Sequence, residues 1–440
     1  LARVFFSLDR TTVRLIEHEV ELPGLGFTIA RYNLGACTWD EVHGRRMVES
    51  PGIVRRKQME GFWSGGDWNW DADPNQRAAL RNARDAGADT FELFSVSPPW
   101  WMTVNGNPSG TDRPEDDNLA EDFREAFAAY IAFAARRAAD DWGIRFASVE
   151  PFNEPTLWWR AIGNQEGCHF SHVAQNAVIP LLRRALDDQG LDDVLVAASD
   201  ECHYTQATGT WKALPEEVRR QIGRVNVHGY LRNLNPTARI ELRDTVGERT
   251  TVWQTEYSEG EPDGLTMALN LSRDIRYLKI RAWCCWQPVE SHDWGLLDGV
   301  YDDTPQHPNG GAPGSLRGDV AGVNASYFVM AQYTRHVRPG ARILDSGHAN
   351  TVAAYNTSTR QLTLVTAHDS DAATITYDLN LFSRADGDNG AVRVWATDTV
   401  NAATSRAYAR EPDIHLDGRK LTVTHAPRTV VTLEIDNVEI

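Results

Sequence analysis

The sequence has no long apolar run and no excess of positive charge. No apolar stretch approaches the ~18 residues that span a bilayer, so no membrane-spanning segment is predicted. The chain has 44 Lys and Arg against 61 Asp and Glu, a formal net charge of −17. Nucleic acids and anionic membranes are bound through basic patches, so this balance argues against both as partners. It favours a protein that acts on neutral or cationic ligands.

Cysteine is scarce, and the sequence contains no recognisable metal or phosphate motif. The five cysteines are an odd number without CxxC spacing, so they predict no zinc site. Two interpretations of the cysteines stay open: one disulfide, or a set of buried thiols. His169 and His172 lie three residues apart without a third ligand signal, so we predict no metal. Neither GxGxxG nor GxxxxGK[ST] is present, which excludes the common phosphate loops.

The amino terminus carries no signal peptide, and the chain has no internal repeat. It opens on LARVFF at 1–6, a segment typical of the middle of a structure, so we expect further residues upstream. No period of 20–50 residues and no low-complexity tract occurs. With 440 residues, two domains are the natural expectation.

Apolar runs of strand length alternate with helical patterns as far as residue 335. The clearest helix is predicted over 118–141, where Phe123, Phe127 and Tyr130 share one face. Seven strands are predicted, and they end near Asn33, Ser95, Glu154, Asp200, Tyr230, Glu256 and Trp286. Polar, aromatic or acidic residues recur at these ends. The α/β pattern predicts a (β/α)8 TIM barrel over residues 1–337, with its first strand missing upstream of residue 1.

The pattern changes at 338–340. Short alternating runs follow, separated by Gly, Asp and Asn, at 351–355, 361–366, 373–377, 391–395, 420–424 and 429–434. They predict a C-terminal antiparallel β-sandwich domain over residues 338–440. The connector 337–341 is too short for a flexible linker, so we expect the sandwich to be tied to the barrel.

The stretch 149–170, VEPFNEPTLWWRAIGNQEGCHF, holds three glutamates, two prolines and a tryptophan pair. Proline cannot donate to a sheet ladder, so a strand must end near Pro151 and Pro155. Asn153 and Glu154 are thereby placed at the carboxyl end of a strand, where barrels carry their catalytic residues. Tryptophan neighbours raise the pKa of a carboxyl group and suit a general acid. An ordinary acidic surface loop is the alternative.

A second glutamate, Glu256, ends another apolar strand. A retaining glycosidase needs an acid/base and a nucleophile about 5–5.5 Å apart. We predict Glu154 as the acid/base and Glu256 as the nucleophile, because their strands face each other across the barrel mouth. Glu150 is interpreted as a structural hydrogen-bond acceptor, while Asp200 and Glu201 could line the cleft.

Other side chains are predicted to bind substrate around these two carboxyl groups. Arg31 and Tyr230 could donate to Glu256 and keep its pKa low, although a barrel salt bridge and plain packing are the alternatives. His228 is interpreted as a satisfied barrel histidine. The 15 tryptophans include several at strand ends that could stack on sugar rings. The predicted binding set is Asn153, Arg31, Trp101, Trp158, Trp159, Glu166, Glu201, Tyr230 and Trp286.

Eight segments resemble glycoside hydrolase family 30, and within it the endo-β-1,6-galactanase group. They are ARYNLGA (30–36), FELF (91–94), SPPWWM (97–102), VEPFNEP (149–155), QEGCHF (165–170), ASDE (198–201), RVNVHGY (224–230) and TRHVRPGARIL (334–344). Asn-Glu-Pro recurs across many barrels, whereas QEGCHF is more specific to the galactanase group. Family members also carry a first barrel strand ahead of the segment that resembles LARVFF, which this chain lacks.

The resemblance implies a secreted retaining enzyme without a cofactor, with Glu154 as acid/base and Glu256 as nucleophile. The implied substrate is the β-1,6-linked galactan side chains of arabinogalactan, and we expect a monomer. Three alternatives stay open: an exo-acting β-1,6-galactobiohydrolase, another β-glycosidase of the family such as a xylanase or glucosidase, and a non-catalytic carbohydrate-binding homologue. Endo or exo action depends on whether the loops 38–70 and 103–117 block one end of the cleft.

Overall fold

A seven-stranded parallel sheet lies at the centre of the computed structural model, which describes residues 1–231, 234–258, 260–301, 318–387, 389–400 and 406–440. Its strands are neighbours in chain order and are numbered here first to seventh. They are Ile29–Asn33, Thr90–Phe94, Ser148–Glu150, Leu195–Glu201, Ile222–His228, Thr251–Glu256 and Ala282–Trp283. Every one of the seven predicted strands is present, and all pair in parallel.

The sheet curls on itself like a half-barrel. Arg31, on the first strand, reaches across to Asp200 on the fourth and donates to the carbonyl oxygen of Thr255 on the sixth at 3.3 Å. Such contacts require the carboxyl ends of distant strands to converge at one mouth. In the described part of the chain, the first and seventh strands are the edges of this sheet.

Two of the parallel strands are shorter than predicted. The sequence predicts the third strand from the apolar run 143–149 and the seventh from the run 280–286, but the structure has only Ser148–Glu150 and Ala282–Trp283 as strands there. Within the described residues, the seventh strand pairs with the sixth alone, through Ala282 and Trp283, so backbone hydrogen bonds hold it on one side. Gly143 has a φ of 66°, a left-handed conformation that ends the preceding helical turn rather than starting a strand.

Helices connect most of the parallel strands and cover the outside of the sheet. The predicted 118–141 helix runs over Arg124–Arg137, preceded by a 3₁₀ turn and followed by a π turn. The sequence also predicts a helix over 176–189, and in the structure this helix begins earlier, at His172, because the Ser171 side chain accepts from the backbone N–H of Ala174. None of the described helices is both long and apolar enough to cross a bilayer. The α-helices are Ala2–Phe6, Pro74–Ala86, Arg124–Arg137, His172–Asp188, Tyr204–Ala213, Glu216–Arg219, Pro236–Val246, Leu265–Arg273 and Ala325–Thr334.

The C-terminal part is antiparallel, and all six strands predicted there are present. Its largest sheet has six strands, in the order Arg342–Leu344, Thr351–Asn356, Gln361–His368, Thr429–Ile435, Ala391–Asp398 and Ala409–His415. Two small sheets accompany it, one pairing Ala373–Asp378 with Lys420–His425 and one pairing Arg384–Ala385 with Val438–Glu439. Leu421 and Val438, from these small sheets, belong to one buried cluster with Leu364 and Val392 of the large sheet.

Two further strand groups were not predicted from the sequence. A hairpin pairs Thr11–Arg14 with Glu19–Leu22. A three-stranded sheet follows the seventh parallel strand and contains Val289–Glu290, Leu297–Tyr301 and Gly318–Val323. This second group extends the loop region at the mouth of the parallel sheet.

The parallel and antiparallel parts share one buried core. Met330, on the last helix, belongs to the same apolar cluster as Val365 and Val430 of the six-stranded sheet. Polar contacts reinforce this junction, because the Gln332 amide donates to Thr397 Oγ1 at 2.9 Å and the Gln332 carbonyl accepts from the Thr432 hydroxyl at 3.0 Å. The predicted tie between the two parts therefore has a physical basis in burial.

This shared core predicts cooperative unfolding. Met330 is 1% exposed, so Met330→Ala should destabilise the protein by about 2–5 kcal/mol. Differential scanning calorimetry should show a single transition at a lower Tm. Leu381→Ala, at a position that is 98% exposed, is the control and should leave the Tm unchanged. Two separate transitions, only one of which moves in Met330→Ala, would contradict a common core.

Candidate active site

A cavity of about 2220 Å³ opens at the carboxyl ends of the parallel strands. Both predicted catalytic glutamates, Glu154 and Glu256, line it together with Arg31, Tyr230 and Trp286. The cavity also continues past the sheet edge, between the first and seventh strands. The mouth of a parallel sheet is where catalytic groups of such folds collect, so this is the candidate active site.

Glu154 lies on a tight turn just after the third strand. Its φ is 47°, an unusual left-handed conformation for a residue with a side chain. Two hydrogen bonds hold it, since its backbone N–H donates to the Asp200 carbonyl at 2.8 Å and its own carbonyl accepts from Trp159 Nε1 at 3.0 Å. The turn directs the carboxyl group inward, where Oε1 lies 3.1 Å from His228 Nδ1.

Glu256 is the last residue of the sixth strand. Its Oε1 accepts a 2.8 Å hydrogen bond from the Tyr230 hydroxyl, and its Oε2 lies 3.8 Å from Arg31 Nη1. The two partners that the sequence suggested are thus both in place. Burial nevertheless raises the pKa of Glu256 to about 7, with His228 and Arg31 acting in the opposite direction. The expected low pKa is wrong, because desolvation outweighs the neighbouring donors.

The two carboxyl groups are close together. Ligand atoms of Glu154, His228 and Glu256 all lie within 4.8 Å of one another. Retaining glycosidases place their carboxyl groups about 5–5.5 Å apart, whereas inverting enzymes leave ~6.5–9.5 Å for a water molecule. The separation here fits the retaining arrangement.

His228 lies between these carboxyl groups and is fully buried. Its Nδ1 is 3.1 Å from Glu154 Oε1 and 3.7 Å from Glu256 Oε1, while Nε2 is 3.2 Å from Asp200 Oδ1. Burial favours the neutral ring, but Glu256 and Asp200 raise the pKa of His228 well above its usual value. From the sequence, His228 was interpreted as a satisfied barrel histidine without a role in the site. Its position two residues before Tyr230, at a strand end, was the signal that could have indicated such a role.

A network of buried charged side chains lies beneath the site. Arg31 donates from Nε to Glu92 Oε1 at 2.8 Å and from Nη2 to Asp200 Oδ2. Glu92 also accepts from Ser148 Oγ at 2.7 Å and from Arg224. Burial would raise the pKa of Asp200, but Arg31 and His228 hold it well below its usual range. Glu92 was not predicted as a site residue, and Asp200 was expected only to line the cleft.

The spacing of Glu154, His228 and Glu256 also permits a metal ion in principle. Both ring nitrogens of His228 face carboxylates, however, and Arg31 adds a positive charge at 3.8 Å from Glu256. These carboxyl groups therefore have partners within the protein. The absence of a metal stays a prediction from the sequence.

Two more predicted residues line the cavity at its polar side. Asn153, beside Glu154, is 5% exposed. Glu166 accepts at Oε1 from the Cys37 thiol at 2.9 Å and from the Met59 backbone N–H at 3.0 Å. Burial raises the pKa of Glu166 to about 8. Glu166 thereby joins the loop 38–70 to its own loop beside the cavity.

The structure places four predicted binding residues outside the cavity lining. Trp101 is 4% exposed and donates from Nε1 to the Trp63 carbonyl at 3.0 Å. The ring of Trp159 packs against Gly167, where an added Cβ would lie 2.1 Å from it. Trp158 projects into solvent, and Glu201 is buried against Thr156 and Thr210. Hydrophobic periodicity and position at a strand end predict that these residues lie near the mouth of the sheet. They do not predict whether a side chain points into the cavity.

Sequence reasoning also missed a group on the loop after the seventh strand. Trp294 is 43% exposed and lines the cavity. Nearby, Glu290 accepts from Arg56 Nη1 at 2.9 Å and from Gln287 Nε2 at 2.7 Å. Arg56 comes from the loop 38–70, so this ion pair joins two loops at the rim. None of the five cysteines, all of which are described, is joined in a disulfide.

Two close carboxyl groups in a cleft at the mouth of a parallel sheet define a glycoside hydrolase type of site. Residues 2–220 match the profile of O-glycosyl hydrolase family 30. The chain is 38% identical, over 449 positions, to an endo-beta-1,6-galactanase of Hypocrea rufa, covering 100% of this chain and 88% of that one. The protein belongs to O-glycosyl hydrolase family 30.

Two other relatives are more distant. The chain is 23% identical to an exo-beta-1,6-galactobiohydrolase of Bifidobacterium longum subsp. longum, covering 94% of this chain and 35% of that one. The catalytic domain of GH30 xylanase C from Talaromyces cellulolyticus superposes with a TM-score of 0.65 at 18% identity, covering 94% and 89% of the two chains. This last similarity concerns the fold.

The contrast between Trp286 and Trp101 can be tested. Trp286 is half-buried on the cavity wall, so Trp286→Ala should lower kcat/KM more than tenfold with little change in Tm. Trp101 is buried in the core, so Trp101→Ala should cost about 3–5 kcal/mol of stability. Thermal melts and kinetics on one substrate check both variants. Equal Tm losses in the two would show that Trp286 is a packing residue.

Proposed function

We propose that this protein hydrolyses β-1,6-linked galactan by a retaining double displacement, with Glu154 as the acid/base and Glu256 as the nucleophile. The observation that carries the proposal is the approach of the two carboxyl groups to within 4.8 Å. The full-length similarity to an endo-beta-1,6-galactanase supports the substrate.

In the first step, the Glu256 carboxylate attacks the anomeric carbon of the galactose unit in the cleft. The bond to the leaving oxygen breaks, and Glu154 gives that oxygen its proton. The product is a galactosyl ester of Glu256. Arg31 and the Tyr230 hydroxyl, both directed at Glu256, stabilise the charge that this carboxylate carries before attack.

In the second step, Glu154 acts as a base. It removes a proton from a water molecule, whose oxygen attacks the anomeric carbon from the side that the leaving group vacated. The ester bond breaks, and Glu256 returns to the carboxylate form. Two inversions at one carbon retain its configuration.

The proposed substrate is the neutral β-1,6-galactan side chain of arabinogalactan, attacked within the chain. A net charge of −17 is compatible with a neutral polysaccharide. Endo action is favoured because the endo-acting relative is 38% identical over 88% of its length, whereas the exo-acting relative is 23% identical over 35%. Asn153, Trp286 and Glu166 are proposed to form part of the binding surface, since they line the cavity.

We also propose an architecture, an oligomeric state and a location for the protein. The seven-stranded sheet is the described part of a (β/α)8 barrel, and the antiparallel sheets form a β-sandwich beside it. We propose that the protein acts as a monomer. A polysaccharide does not cross a membrane unaided, so an enzyme for this substrate would act as a secreted protein.

The substrate can be tested directly. Incubation with arabinofuranosidase-treated arabinogalactan should release a series of β-1,6-galacto-oligosaccharides, resolved by anion-exchange chromatography and mass spectrometry. Early products of mixed length indicate endo action, and galactobiose alone indicates exo action. β-1,4-Xylan and β-1,3-galactan are the controls and should stay intact. Hydrolysis of xylan without hydrolysis of β-1,6-galactan would refute the proposed substrate.

The nucleophile can be tested by chemical rescue. Glu256→Ala should lose more than a thousandfold in kcat, because no ester can form. Azide should partly restore cleavage and give the α-galactosyl azide, since a small anion fits the vacated space. Glu150→Gln is the matched control, because Glu150 is a buried glutamate of the third strand whose Oε1 accepts from the Phe152 backbone N–H at 3.2 Å, a bond that the Gln side-chain carbonyl can keep. Activity of Glu256→Ala near the wild-type level would exclude this assignment.

A further inference from the structure

We propose that Asp200 is a positioning residue that holds His228 as an imidazolium, so that one N–H serves each catalytic carboxylate in turn. The inference rests on the roles proposed above for Glu154 and Glu256. It adds a residue that touches neither of their side chains and acts through the histidine between them.

The geometry of His228 is the first support. Its Nε2 lies 3.2 Å from Asp200 Oδ1, a charge contact that lacks the alignment of a hydrogen bond. Its Nδ1 is then directed at the space between the catalytic pair, 3.1 Å from Glu154 Oε1 and 3.7 Å from Glu256 Oε1. A proton on Nδ1 can therefore be donated to either carboxylate with a small tilt of the ring.

The surroundings of Asp200 are the second support. Asp200 is 0% exposed and accepts from Arg31 Nη2 and from the Thr255 hydroxyl. These donors hold it ionised, and its other neighbour is His228. Its backbone contributes as well, because the Asp200 carbonyl accepts from the N–H of Glu154 at 2.8 Å. One residue thus orients both the histidine and the turn that carries the acid/base.

The groups that face His228 leave it few alternatives to the charged state. The titratable groups around the ring are Glu154 and Glu256 on one side and Asp200 on the other. Tyr230 contacts the ring edge-on, with centroids 5.7 Å apart. Arg31 is the nearby cation, and it is occupied by Glu92 and Asp200. With a carboxylate at each nitrogen, a buried imidazole gains from holding both protons.

The proposed reaction gives a positively charged His228 a role in each step. Before the first step the negative charge is on Glu256, and Glu154 holds the proton. After that step Glu256 is an uncharged ester, and Glu154 has become the carboxylate. The charge has moved by a few ångströms, and Nδ1–H can follow it from one oxygen to the other. No proton has to enter or leave the buried site to keep it balanced.

Asp200→Asn separates this role from plain packing, because Asn keeps the shape and removes the charge. We expect the imidazole of His228 to become neutral at pH 7, with loss of one ring proton. Glu256 then loses a positive neighbour that lowers its pKa, so the pKa of Glu256 rises. The acidic limb of the kcat/KM profile should therefore move to higher pH by about one unit, with kcat reduced more than tenfold and KM changed less than threefold.

The charge of His228 can be read without any activity, by ¹⁵N NMR of protein labelled at histidine. A variant in which His228 is replaced by Gln assigns the signal. The wild type should show two protonated ring nitrogens at pH 7, and Asp200→Asn should show one. Glu150→Gln is the control and should match the wild type in both the spectrum and the pH profile. This measurement holds even if the enzyme fails to cleave β-1,6-galactan, so the two proposals fail separately.

A gentler variant covers the case in which Asp200→Asn does not fold. Thr255→Val removes one hydrogen bond to Asp200 and should shift the acidic limb in the same direction by a smaller amount. The proposal is overturned if His228 stays doubly protonated in Asp200→Asn, or if the pH profile of the folded variant superimposes on that of the wild type. An unshifted profile in Thr255→Val overturns it as well.

Discussion

The buried guanidinium of Arg31 is the interaction on which the rest of the site depends. Charged groups are buried at a high cost unless each one is paired. Arg31 pairs with Glu92 on the second strand and Asp200 on the fourth, and its Nη1 lies 3.8 Å from Glu256 on the sixth. The contacts with Asp200 and Glu256 join strands that are not neighbours in the sheet. Removal of Arg31 would leave Glu92 with Arg224 as its remaining cation and Asp200 with His228. The curl of the sheet and the chemistry of the cleft would thereby lose the one buried charge that both share.

From Arg31 towards the cavity, positively and negatively charged side chains alternate. The carboxylate of Asp200 lies beside one ring nitrogen of His228, and the other ring nitrogen of His228 lies beside the two glutamates. Burial makes each of these contacts strong, because few water molecules compete for the donors. It also raises the pKa of Glu256 to about 7, so the proposed nucleophile depends on its cationic neighbours to be ionised. The site is thus a set of mutually dependent groups rather than two independent carboxylates.

The loops and the antiparallel part hold this arrangement from outside. Glu166 connects the loop 38–70 to the loop beside the cavity, through the Cys37 thiol and the Met59 backbone. At the opposite rim, Arg56 and Glu290 join that same loop to the segment after the seventh strand. The six-stranded sheet packs on the last helix through Met330, Val365 and Val430. The width of the cleft is therefore set by contacts between segments far apart in the chain.

The sequence by itself determined the seven strand positions, the change to antiparallel pairing after 340, and the two glutamates at strand ends. These features are local, because periodicity and the prolines beside Glu154 act on neighbouring residues. Only the tertiary structure decided that Trp101 is core, that burial raises the pKa of Glu256, and that His228 faces Asp200 and Glu154. The His228 to Glu154 contact joins residues 74 apart, and the Arg31 to Asp200 contact residues 169 apart. Such contacts follow from the curl of the whole sheet, which no local pattern encodes.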